Sequence, residues 1–322
     1  MLRFKIQSAS RVSALAALLF GAALIGCGGS HEPVQDVVAP VDTSPPVVTA
    51  DPVASVAPPP ELPPVELKEG TPAPAPEKIP TVAIKAPIAN QVIAADKAGD
   101  FDVKLDVKNW EGSDGRHVHL ILDGKPYKRI DDFKAPIKMK DLDPAIAEGQ
   151  HVLVAFPSRH THESIKPVGK ASPLAVVTFW VGKKGTATWK TTDPTLVYSR
   201  PKGANDGPPP VDGLLVDFYL ANAELGDGKF SVEATLTGPG AESGVKTTIK
   251  DWKPWRIKNA RDGKYTLRLA LMDKDGKAVP GAWNDSTHDF SVDSKAAPPT
   301  ATPMAPAASA APAASAAPTA KH

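Results

Sequence analysis

Phe101-Asp-Val-Lys-Leu-Asp-Val-Lys108 decides the fold. Phe101, Val103, Leu105 and Val107 alternate with Asp102, Lys104, Asp106 and Lys108, a period of two that gives a strand one apolar and one charged face. Working outward, further strands are expected at 82–85, 116–123, 126–130, 136–140, 149–156 and 174–181. Turn chemistry such as Asp123-Gly124 and Glu148-Gly149 separates them. A second set is expected at 195–198, 211–221, 229–237, 245–250, 263–272 and 287–292. No convincing amphipathic helix interrupts either set. Many short strands at this spacing read as antiparallel sandwiches.

The two sets read as repeats of one unit. Gly115–Gly124 aligns loosely with Gly228–Gly238. Pro136–Leu142 followed by Gly149–Phe156 aligns with Thr247–Trp252 followed by Gly263–Leu271. At Asp262-Gly263-Lys264-Tyr265 the chain resembles the tyrosine corner of immunoglobulin-like sandwiches, in which a late-strand Tyr hydroxyl bonds back to the backbone. The expected class is therefore all-β: two tandem immunoglobulin-like antiparallel β-sandwich domains, at 81–184 and 185–295. They lack a Cys pair, so the resemblance is to the bacterial surface-module type. The first domain also resembles uncharacterised secreted bacterial proteins in which a Gly-x-His strand leads into a His-Glu-Ser segment.

Fourteen of the 35 prolines lie between Gly28 and Pro80. Such a stretch buries too little apolar surface to offset chain entropy, so 27–80 is expected to be a disordered tether. The Ala/Pro-rich 296–322 is expected to be a disordered tail.

Ahead of the tether, Arg3, Lys5 and Arg11 precede an apolar run from Val12 to Ile25, the pattern of a signal peptide over 1–26. The run is shorter than the ~20 residues a membrane span needs. Leu24-Ile25-Gly26-Cys27 resembles the lipobox of bacterial lipoproteins. That resemblance implies cleavage before Cys27, the only cysteine, and its lipidation, so the partner there is a membrane. Gly28 stands where enteric bacteria place the inner-membrane retention Asp, which implies outer-membrane sorting, on its periplasmic or surface face.

Lys plus Arg number 37 and Asp plus Glu 36. This balance offers no basic face for nucleic acid. With Cys27 taken by lipid, no thiol remains for disulfides, thiol catalysis or a cysteine metal site. No Gly-x-Ser-x-Gly elbow, His-Glu-x-x-His helix or phosphate loop is present, so the chain does not read as an enzyme.

Five of the eight histidines fall in the first domain. His151 aligns with Tyr265 and reads as an aromatic corner residue. His117 and His119 share a face opposite Val118, Leu120 and Leu122, which are the core candidates. An extended His160-Thr161-His162-Glu163 would put two more imidazoles in phase. His117, His119, His160, His162 and Glu163 are thus the candidate ligands for Cu or Zn, both suited by imidazole, against a bland reading as a half-exposed polar sheet face. Trp252, Trp255 and Trp283 are the candidate binding surface for an envelope protein, peptide or glycan, against core packing. The expected function is a lipid-anchored, non-enzymatic cell-envelope binding or scaffold protein. The alternative is a periplasmic or outer-envelope metal-binding protein.

Overall fold

The computed structural model describes residues 61–110, 113–169 and 172–297. The signal peptide, Cys27, the tether up to residue 60 and the tail from 298 lie outside them. Strand β1 (Glu66–Glu69) comes first. β2 (Thr81–Ala86), β3 (Val92–Ile93), β4 (Asp102–Lys108), β5 (His117–Leu122), β6 (Lys128–Ile130), β7 (Ile137–Lys138), β8 (Gly149–Ser158) and β9 (Ala175–Val181) build a first sandwich. Its sheets run β2-β4-β7 and β3-β9-β8-β5-β6.

The second sandwich comprises β10 (Thr195–Arg200), β11 (Gly203–Asp206), β12 (Leu214–Ala221), β13 (Ser231–Thr237), β14 (Val245–Ile249), β15 (Trp255–Lys258), β16 (Gly263–Met272) and β17 (Asp285–Asp293). Its sheets run β1-β15-β12-β10 and β11-β17-β16-β13-β14. Both units are immunoglobulin-like. The five-stranded sheets match strand for strand, down to one parallel pair each, β3 with β9 and β11 with β17.

This topology corrects one repeat assignment. Pro136–Leu142 contains β7, which pairs with β4 in the small sheet. Its counterpart is β15, which pairs with β12, and not the segment around Thr247, which belongs to β14 on the other sheet. The tether is corrected as well. β1 pairs with β15 from Glu66↔Lys258 to Glu69↔Trp255, and Val65 and Leu67 are buried in the second core. Two apolar side chains spaced by two, entering an existing core, outweigh the local proline content.

Each sandwich has its own core. Val103, Val118, Leu120, Leu153 and Phe179 centre the first, and Leu196, Phe218, Leu236, Leu267 and Phe290 the second. A third apolar cluster joins Ile121, Val152, Val154 and Phe156 of the first unit to Val197 and Tyr219 of the second. The outer face of β5 and β8 is therefore covered, and all six residues of β5 are buried. This overturns the half-exposed polar face expected for His117 and His119. A partner sheet lies over it.

The corner motif occurs twice in different chemistry. Tyr265 Oη accepts from Arg261 N at 2.8 Å and lies 2.9 Å from the Pro239 carbonyl. Gly238, at φ +147°, leaves room for it, since a Cβ there would stand 2.3 Å from the Tyr265 ring. In the first unit His151 takes that role. One ring nitrogen lies 2.8 Å from Ala147 O, four residues back, and the other 2.7 Å from Asp123 Oδ2.

Candidate metal centre

Strand pleat puts His117 and His119 on one face of β5, and both are fully buried. The third imidazole arrives from a turn. Past β8 the chain reverses at Arg159–Glu163, with His162 N donating to Arg159 O (2.9 Å) and Arg159 N to Glu163 O (3.0 Å). His162 sits at φ 66°, a region that costs a non-glycine residue free energy and that gathers at functional sites. The reversal turns His162 inward and leaves His160 exposed. The 160–163 segment turns where an extended one was expected, so His160 stands outside the converging group. Glu163 is buried, but its carboxylate accepts from Ala73 N at 3.0 Å and does not join the cluster.

The ligating nitrogens of His117, His119 and His162 lie within 4.8 Å of one another. His117 Nε2 is 2.9 Å from His119 Nε2 and 3.0 Å from His162 Nδ1. An ion about 2.0–2.1 Å from each nitrogen would set tetrahedral neighbours roughly 3.3–3.4 Å apart. The two short contacts need to open by a few tenths of an ångström, and the widest pair, within 4.8 Å, to close toward that spacing.

Proton placement makes the cluster unusual. His117 Nδ1 lies 2.8 Å from Gly115 O, which only accepts, so Nδ1 carries the proton. Neutral His117 then offers one lone pair at Nε2, and two nitrogens approach it. One lone pair cannot serve two donors well. If His162 Nδ1 instead accepts from Tyr127 Oη, 3.1 Å away, two lone pairs face each other across 3.0 Å. A cation at the shared point resolves the conflict. Ser199 Oγ, 3.0 Å from His119 Nδ1, can donate or accept, so it suits His119 in either tautomer.

Burial is the main cause holding the imidazoles neutral. It pushes His117 down to about 4, helped by Arg129 and opposed by the Gly115 carbonyl. It pushes His162 down to about 2, with Arg200 next in weight. It takes His119 well below the ordinary range, aided by its two neighbouring histidines and by Arg200 and Lys202. Neutral imidazole is the form that binds metal.

Tyr127 and Ser199 were missed by sequence reading. Tyr127 lies in the loop between β5 and β6, and Ser199 in the other sandwich, so no spacing rule links either to the histidines. The tryptophan surface is not formed. Trp255 is buried in the second core and Trp283 in the shared cluster. Trp252 is half-buried and donates to Phe218 O. It lines one groove with Leu174, Val176, Phe230 and Lys274, and Trp283 lines a separate one with Gln150 and Trp189, so the three form no common surface. No helix among the described residues is long and apolar enough to cross a membrane.

No family model matches the chain. No curated protein matches it either. Among solved structures, the chain is similar to the fibronectin(III)-like modules of Clostridium thermocellum CbhA. They are 18% identical over 66% of this chain and 94% of theirs, with a TM-score of 0.23. The chicken interferon gamma receptor alpha chain is 12% identical over 66% of this chain and 97% of its own, TM-score 0.21. The Ig1-2 module of Drosophila receptor protein tyrosine phosphatase DLAR is 14% identical over 66% and 99%, TM-score 0.19. These similarities concern fold and carry nothing about ligand or activity.

Proposed function

We propose that this protein is a cell-envelope binding protein that holds one divalent transition-metal ion, copper or zinc, between His117, His119 and His162. The observation that carries the reading is the convergence of three imidazoles, two fully buried and one half-buried, around His117 Nε2, which has two nitrogen neighbours at 2.9 and 3.0 Å and one lone pair to offer them. Imidazole donors suit both metals, and the Irving–Williams order favours copper where both are available. The site sits where the two sandwiches meet, and Ser199 of the second unit steadies His119 of the first.

The test is calorimetry and elemental analysis on the full-length chain in detergent. One equivalent of Cu²⁺ or Zn²⁺ is expected to bind. His117→Ala/His119→Ala abolishes binding, His160→Ala leaves it unchanged, and Ser199→Ala weakens it about ten- to a hundredfold, as outer-shell changes do. Absence of heat in the unsubstituted chain, or the same heat in the double variant, overturns the reading.

The finer address belongs to the same proposal. The Leu24–Cys27 stretch supports lipidation at Cys27, since two or more acyl chains make a stable anchor. Cys27→Ser is expected to move the protein from the membrane to the soluble fraction on cell fractionation. Unchanged sedimentation with membranes counts against the anchor.

A further inference from the structure

We infer that Tyr127 Oη is the fourth donor of this centre, which makes it a closed N₃O site; the inference rests on the metal reading above. Tyr127 Oη stands 3.1 Å from His162 Nδ1, the spacing the nitrogens keep among themselves. Its ring is 4% exposed and stacks on His119 with centroids 3.5 Å apart and planes 10° from parallel. The second sandwich fixes it from behind. Lys202 Nζ donates to Tyr127 O at 2.8 Å and lies 3.9 Å from the ring centroid. A residue held on two sides, with its oxygen at the cluster, is built as a ligand is built.

Charge points the same way. Arg129, Arg200 and Lys202 all act on the cluster, and three neutral imidazoles bring no negative charge. An anionic donor would offset part of that field for an entering dication. No carboxylate belongs to the group of converging ligands. Glu163 is engaged with Ala73 N, and Asp217 with Lys166 and Ser164. That leaves the phenol of Tyr127. Coordination forms the metal–oxygen bond and sends the phenol proton to solvent. With three imidazoles and one phenolate the coordination shell is filled from the protein, as in structural sites, and no position stays open for water.

Cu²⁺ serves as the probe, on the full-length chain in detergent. The copper-loaded protein is expected to show a phenolate-to-copper charge-transfer band in the visible, with hyperfine coupling to three imidazole nitrogens. Tyr127→Phe keeps the nitrogen couplings, loses the band and binds Cu²⁺ more weakly than Ser199→Ala, which removes only an outer-shell partner. Three coupled nitrogens without the band in the unsubstituted protein overturn the assignment of Tyr127, and this outcome needs no variant to fold. An unchanged Cu²⁺ affinity in Tyr127→Phe overturns it as well. Failure of Cu²⁺ to bind at all removes the histidine centre itself, and the fourth donor with it.

Discussion

Lys166→Met is expected to destabilise the protein by about 3 kcal/mol, the lower end of the range for breaking a buried ion pair. Lys166 lies in the segment after β8, and its ammonium crosses to the second sandwich. Nζ donates to Asp217 Oδ1 at 2.9 Å, to Ser164 Oγ at 2.7 Å and to Phe218 O. It also faces the rings of Trp252, Phe218 and Tyr219 at 5.2–5.6 Å from their centroids. Burial pushes its pKa down, and the charge and hydrogen bond of Asp217 offset part of that.

The Asp217 side chain is fully buried, and that of Lys166 is 20% exposed. The difference places the expected loss at the low end, because water reaches the lysine and not the carboxylate. Without the ammonium, Asp217 keeps a single hydroxyl donor, Ser164, and its Oδ2 has no partner even in the intact protein. The stranded carboxylate is the main cost. Lys166→Met/Asp217→Leu should therefore recover most of the loss, since an apolar pair of similar volume often replaces a buried ion pair at no cost. Urea unfolding at neutral pH reads both. A single variant as stable as the parent would show that water already reaches Asp217 in solution.

How much of this was legible follows from where each residue sits. The alternation at 101–108 is a local signal, and so is the shared face of His117 and His119, because the pleat fixes both. What covers that face was not local. Val118, Leu120 and Leu122 read as the core side, yet Ile121 on the other side is equally buried, because Val197 and Tyr219 arrive from 76 or more residues later in the chain. His162 was named as a ligand for the wrong reason. The left-handed turn that aims it inward has no glycine to announce it, and the same turn removes His160. Val65 and Leu67 did carry a period-two signal, obscured by Pro63, Pro64 and Pro72 around them. Ser199 and Tyr127 carry no signal at all until the two sandwiches meet.

Stripped of metal by a chelator, the protein is expected to lose about 3 kcal/mol of stability through His117 alone as pH falls from 6.5 to about 4. In the unfolded chain its imidazole titrates near 6.5, and in the folded protein burial lowers this to about 4. The folded pKa is depressed, so the unfolded state binds the proton first. The stabilisation is complete above pH 6.5 and is lost as pH falls through the interval. A gap of about 2.5 units at 1.36 kcal/mol each gives the figure.

His162 and His119 act with the same sign and carry the loss to lower pH. His151 acts with the opposite sign. Burial works against its charge, but the hydrogen bond and charge of Asp123 and the Ala147 carbonyl raise its pKa overall. Its contribution is complete below about pH 6.5 and is lost as pH rises through the folded value, so it shapes the curve above pH 6.5 and leaves the acid loss unchanged. His117→Gln/His119→Gln/His162→Gln should flatten the stability curve between pH 6.5 and 4, whereas His151→Gln should change it only above pH 6.5.

Zinc widens the contrast. Held as proposed, at a free concentration a thousand times its dissociation constant it should add about 4 kcal/mol at neutral pH, and because burial keeps the folded imidazoles neutral, protons compete for these nitrogens only from about pH 4 downward. Unfolding curves with chelator and with Zn²⁺ should therefore run parallel from pH 7 to about 4 and approach each other only below it, where His117 takes up its proton. A chelated parent protein as acid-resistant as the triple variant would mean that these imidazoles are hydrated in the folded state.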